Sequence, residues 1–139
     1  MESTDFQIFI DKIPCLKNHF LGVFALDKIP KKIPCKSALI FNLDLSHQEG
    51  SHWCALVRTF KNHYEVFDSL GENSQKVKPF LKFKNAKYYF NKEAYQLSSS
   101  DTCGLFAITF VIERLTNIDI PFEEFLNEIF ESNKLQNEV

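Results

Sequence analysis

Four polar residues stand where chemistry would need them. Cys103 follows the polar run SSSDT and opens the apolar, helically spaced segment CGLFAITFVIERL. With Ser100 or Asp101 as cap, that helix carries Cys103 in its first turn. Unpaired backbone N–H groups and the positive end of the helix dipole favour a thiolate there, the nucleophilic form of the side chain. Gly104 beside it would let a substrate backbone approach closely. His52 immediately precedes Trp53 and the strand-like CALV, so it has the rigid mount a general base requires. Asp68 closes the segment HYEVFD, and a carboxylate there can orient an imidazole by hydrogen bonding. Gln96 ends an aromatic-rich stretch ahead of Cys103; its amide and the Cys103 backbone N–H are two donors for a developing oxyanion. Together the four would serve attack by a thiolate on a carbonyl. Taken singly, each has an ordinary reading: a small core cysteine, a hydrogen-bonded structural histidine, an exposed strand-end glutamine.

The elements that must position these residues follow from periodicity. Ser3 or Thr4 caps a first helix with Phe6, Phe9, Ile10 and Ile13 on one face, ended by Pro14. HFLGVFALDKIP is a short apolar segment and PKKIPCK a loop. Ser37–Leu45, Trp53–Thr59 and His63–Asp68 read as strands, the last two as a hairpin. Ser74–Phe83 holds a short helix with Val77, Phe80 and Leu81 inward, limited by Pro79. Ala86–Tyr95 reads as another strand and Cys103–Leu115 as a helix. A last helix opens near Pro121 and buries Phe122, Phe125, Leu126, Ile129 and Phe130. A helix, several strands and then helices make an α+β pattern.

The hairpin register decides whether His52 and Asp68 can meet. A three-residue turn over Phe60, Lys61 and Asn62, with Asn62 left-handed, sets Cys54 opposite Asp68. His52 and Asp68 are then diagonal neighbours on one face, with Cα atoms roughly 7–8 Å apart. A two-residue turn at Lys61-Asn62 would shift the pairing and put them on opposite faces.

Composition narrows the function. At 139 residues the chain suits one domain, 1–139, with a real core. A net charge of −2 lacks the basic excess of a general nucleic-acid binder. Lys76, Lys78, Lys82, Lys84 and Lys87 form one local basic cluster, read as a solvated face. No stretch approaches the roughly 20 apolar residues of a membrane span, and MESTDFQIF does not read as a signal peptide. Cys15, Cys35, Cys54 and Cys103 contain no C-x-x-C pair, which suggests reduced thiols and no zinc finger. Cys54, inside a strand, reads as core, and so does Trp53. His47 and His63 read as solvated side chains.

His52-Trp53, VFDSLG with Asp68, then Gln96, then DTCGLF with Cys103, in that order, resemble the adenovirus-type (adenain-like) maturation proteases. That group shares its core fold with the cellular proteases of ubiquitin-like proteins. HFLGVFALDKIP is similar to the segment preceding the catalytic strands in adenoviral enzymes, and the likeness covers roughly residues 15 to 115. The resemblance implies an α+β, papain-like fold: a mixed, mostly antiparallel sheet of about five strands on a central helix with the nucleophile at its N-terminus. It assigns His52 as general base, Asp68 as its orienting acid, Cys103 as nucleophile, and Gln96 with the Cys103 N–H as oxyanion donors. It sets the Trp53 ring beside the site, so Trp53, with Gly104, is expected to border the substrate.

The same resemblance implies cleavage of viral capsid or scaffold precursors near glycine, by a monomer, in the virion and the host-cell cytoplasm or nucleus rather than after secretion. No cofactor and no metal are implied. NAKYYFNKEAYQ contains no cysteine, so an activator peptide would be held without a disulfide, and DNA binding is expected to be weak or absent. The reduced length suits a small DNA virus, a virophage or a large transposon. A protease for ubiquitin-like modifiers, a thiol acyltransferase and a non-catalytic binding module are the rival readings.

Overall fold

The computed structural model describes residues 3–44, 52–96 and 102–131. Leu45, His47, Ser100 and Asp101, each part of an expectation above, lie outside the described residues. Five strands form one sheet in chain order: β1 (Phe20–Ala25), β2 (Ser37–Asn42), β3 (Trp53–Phe60), β4 (His63–Phe67) and β5 (Lys87–Phe90). The sheet is mixed. β2, β3 and β4 are antiparallel neighbours, while β1 and β5 add parallel edges, so antiparallel pairing is confined to the centre.

Among the described residues, four α-helices accompany the sheet: α1 (Ser3–Asp11), the single turn α2 (Ser74–Val77), α3 (Cys103–Thr116) and α4 (Phe122–Phe130). Strand alternation divides the core in two. Ala38, Ile40, Ala55, Val57 and Phe67 face a cluster built by α1, α3 and α4. Leu39, Phe41, Leu56 and Val66 face Leu26, Ile33, Val77, Leu81 and Phe83 on the other side. β2 is therefore covered on both faces, which explains why SALIFN is apolar almost throughout.

Several expectations need correction. Phe9 is 41 % exposed and only Phe6 and Ile10 of α1 are buried, because a nine-residue helix buries a narrow i, i+4 stripe. Phe80 is likewise exposed, since Pro79 turns the chain into a 3₁₀ turn over Lys78–Phe80 and rotates Phe80 outward. The strand expected over Ala86–Tyr95 stops at Phe90, where Asn91 turns to bond the end of β4. Ile129 is only partly buried.

The hairpin resolves differently from either expectation. Its turn is the two-residue Lys61-Asn62, with Phe60 paired to His63, and Asn62 is not left-handed. Yet Ala55 pairs with Phe67 and Val57 with Glu65, the register expected of the longer turn. An extra residue in β3, at Thr59, makes up the difference: the bulge restores the register that keeps both strands' core faces aligned. The buried Thr59 hydroxyl has no hydrogen-bond partner, a local cost of that bulge.

α3 is held to the sheet by a buried ion pair as well as by apolar contacts. Arg114, in its last turn, donates Nε to Glu65 Oε1 at 2.7 Å and Nη2 to Oε2 at 2.8 Å, a bidentate pair with both side chains inaccessible. Nη1 donates to the carbonyls of Asn117 and Ile120, and the guanidinium lies 4.9 Å from the Phe125 ring. One side chain thus ties β4, the end of α3, the connecting loop and α4. Arg114→Met should cost about 3–5 kcal/mol in urea denaturation because it leaves the fully buried Glu65 carboxylate with His63 Nε2, at 2.9 Å, as its remaining partner. Glu65→Met combined with Arg114→Met should recover most of that loss.

Candidate active site

His52 sits just ahead of β3, with its carbonyl accepting from the Leu43 N–H at 3.0 Å. The ring is buried, and Nε2 bonds Asp68 Oδ1 at 2.7 Å. The diagonal relation expected from the register is therefore realised.

Asp68 follows β4 at the start of a tight turn, and its carboxylate is almost saturated. Oδ1 also accepts from the Leu70 N–H at 3.0 Å; Oδ2 accepts from the Glu72 N–H, the Asn73 N–H and Asn73 Nδ2 at 3.2, 3.0 and 2.8 Å. Gly71 makes this turn possible. Its φ is +68°, and a Cβ there would lie 2.7 Å from the Glu93 carbonyl oxygen. From the other side, buried Asn91 accepts the Asp68 N–H at 2.8 Å and donates to the carbonyls of Asp68 and Glu93 at 2.7 and 2.9 Å. Burial pushes the Asp68 carboxyl up, but the His52 hydrogen bond and charge, with Asn73 and the Leu70 N–H, bring it below the usual carboxylate range.

Cys103 is the first residue of α3 and is buried. Thr102 occupies the cap position with no side-chain capping bond. Burial would raise the Cys103 thiol. The His52 ring, the N–H groups of Trp53 and Gly104, and the imidazolium charge outweigh burial and lower it. Burial alone would also lower His52, but hydrogen bonds to Asp68, Cys103 and Cys54 raise it from 6.5 to about 12. The two shifts share one cause: the charged pair is better solvated by its neighbours than the neutral pair.

A second thiol reaches the same ring. Cys54 is fully buried in the core opposite α3, as expected, yet its sulfur lies within 4.8 Å of a His52 ring nitrogen and an Asp68 oxygen. Complete burial, with the Asp68 charge opposing the His52 contact, pushes its thiol up to about 12. Two sulfurs thus compete for one imidazole, and burial decides in favour of Cys103.

His52, Cys54 and Asp68 bring a nitrogen, a sulfur and an oxygen within 4.8 Å of one another, a donor set suited by type to zinc. Their bonding argues against that use. Asp68 already accepts five hydrogen bonds, and His52 is bound to it directly. A metal would have to break this network, so the cluster reads as a hydrogen-bonded site.

Gln96 is buried rather than exposed at a strand end, and its Oε1 accepts from the Ser69 hydroxyl. Trp53 is half-buried, its ring edge-on to Phe6 at 5.1 Å, so it contributes its backbone N–H to the sulfur while the ring anchors α1. Gly104 is buried behind Cys103. Sequence reasoning missed Asn91, Ser69 and the contact of Cys54 with His52. For Asn91 the available signal was an amide directly after a strand; for Ser69 it was only adjacency to Asp68.

No family model matches the chain. Over 102 residues it is 31 % identical to an Acanthamoeba polyphaga mimivirus protein named "Putative thiol protease R355", an alignment that takes in 65 % of this chain and 33 % of that protein. The chain thus spans about a third of the length of this curated relative. It is also similar to the crystal structure of the ASFV pS273R protease, at a TM-score of 0.54 and 17 % identity, over 98 % of this chain and 68 % of that one. That likeness shows the fold: an α+β architecture with a five-stranded mixed sheet and α3 packed across it.

Iodoacetamide should label Cys103 near pH 6 well before Cys15, Cys35 or Cys54, as read by peptide mapping. Because the Cys103 thiol is lowered, its reactivity should persist as pH falls below 9.0 and disappear only at the depressed value. Raised His52 means no loss of reactivity as pH climbs through 6.5. His52→Ala should return the profile to that of an ordinary thiol. Asn91→Ala, which strands the Asp68 backbone, should cost about 2 kcal/mol or more of stability in urea and slow the labelling of Cys103.

Proposed function

We propose that the chain is a thiol endopeptidase. The observation that carries this reading is the His52 ring, bonded to the Asp68 carboxylate at 2.7 Å and placed where it lowers the Cys103 thiol at the head of α3. The thiolate attacks a peptide carbonyl, and the new S–C bond leaves a negative oxygen for the Gln96 amide and the Cys103 N–H. His52 gives its proton to the departing amine as the C–N bond breaks. It then takes a proton from water, which attacks the thioester and frees Cys103. Asp68 stays ionised throughout and holds the ring. Trp53 supplies its backbone N–H to the sulfur, and Gly104 backs it.

The finer reading is an adenovirus-type maturation enzyme of viral origin that cuts capsid or scaffold precursors near glycine, in the virion and infected cell. It acts as a monomer with little affinity for DNA, and a peptide activator, where one is used, is held without a disulfide. The thiol-protease name of the mimivirus relative and the residue order His52, Asp68, Gln96, Cys103 support it.

Purified protein should cleave a glycine-containing precursor peptide, with Cys103→Ala abolishing the cut and His52→Ala slowing it by roughly 10²-fold or more. Preference for a ubiquitin-like precursor, or acetyl transfer from coenzyme A, would move the assignment to another thiol chemistry of this fold. An inert wild-type protein whose Cys103 is no more reactive than its other thiols would leave only a binding role.

A further inference from the structure

An oxyanion donor is useful only if it points the right way. A glutamine amide has a donating end and an accepting end of nearly the same shape, and turned over it would press a carbonyl oxygen against the developing charge. Something must therefore hold the Gln96 amide in one orientation, and its own side chain, with freely rotating bonds, does not.

Ser69 meets that need. Its hydroxyl donates to Gln96 Oε1, 27 residues away in sequence. Its carbonyl accepts the Tyr95 N–H at 2.7 Å and the Gln96 N–H at 3.2 Å. Both side chains are buried, Ser69 1 % and Gln96 5 % exposed, so bulk water does not compete for these bonds. Ser69 also sits on a rigid mount. It directly follows Asp68 in the turn that Gly71 makes possible, and Asn91 pins that turn from the far side.

We infer that Ser69 is a positioning residue: by engaging the carbonyl end of the Gln96 amide, it presents the N–H₂ end as donor to the oxyanion. One turn, residues 68–71, then orients both the general base, through Asp68, and the oxyanion donor, through Ser69. The inference rests on the thiol-protease reading given above.

Two reagents separate Ser69's action on Gln96 from a general loss of the site. Acylation by p-nitrophenyl acetate passes through a tetrahedral oxyanion; alkylation by iodoacetamide, at a saturated carbon, does not. Ser69→Ala should slow acylation roughly tenfold or more, approaching the loss from Gln96→Ala, while the alkylation rate and its pH profile stay within about twofold. In the Gln96→Ala background, Ser69→Ala should add nothing, and Ser69→Thr, which keeps a hydroxyl, should retain part of the rate. Equal slowing of both reagents would show that Ser69 merely holds the Asp68 turn together, and multiplying losses would show that it does not act through Gln96; either overturns the inference. A wild-type protein that neither acylates nor alkylates selectively at Cys103 overturns the thiol-protease reading itself, and this inference with it.

Discussion

A buried imidazole keeps its proton only where acceptors surround it, because burial by itself favours the neutral ring. His52 is buried, bonded to a carboxylate and set beside two thiols, and the site depends on that arrangement. Its charge is sustained on one side by Asp68, whose own charge is sustained by backbone and amide donors that cannot leave. The same imidazolium lowers the Cys103 thiol toward its thiolate form. Remove the carboxylate and burial wins; remove the burial and water screens the pair until neither shift survives.

The surrounding scaffold is built to keep these distances short. Asp68 is gripped twice: its carboxylate by residues 70–73 of its own turn, and its backbone by Asn91 from beyond β5. Cys103 is carried by a helix anchored at its opposite end, where Arg114 and Glu65 form a bidentate pair beneath it. Such a pair is a poor source of net stability, since desolvation offsets most of its attraction. Its value lies in direction. Apolar packing tolerates small slides of a helix along a sheet, whereas a planar guanidinium meeting a carboxylate through two bonds, and two loop carbonyls through others, does not.

The pair of thiols beside His52 shows how little chemistry depends on residue type alone. Cys54 and Cys103 both feel the same ring, yet their thiols shift in opposite directions. Cys103 has backbone N–H groups and a helix N-terminus to stabilise its anion. Cys54 has an apolar core and the repulsion of Asp68. A nucleophile is made by its surroundings, and those belong to the fold.

That division also marks what was legible in the chain. The residue types at 52, 68, 96 and 103, their order, and the strand and helix on which 52 and 103 sit could be read from sequence, because amphipathic periodicity and punctuation are local properties. Core residues such as Phe6, Ile10, Val77, Phe125 and Leu126 were legible for the same reason, while Phe9 and Phe80 were not, since the width of a buried stripe depends on what packs against it. The hairpin register came out right through a turn that was wrong: the bulge at Thr59 answers to the match of core faces across two strands, which no single segment contains. The grip of Asn91 on Asp68, the bond from Ser69 to Gln96, the closing of Arg114 on Glu65 and the approach of Cys103 to His52 all join residues far apart in sequence. Sequence by itself determined which side chains were available and on which elements. Tertiary structure decided which of them meet, because burial and long-range hydrogen bonds are set only when separate elements pack together.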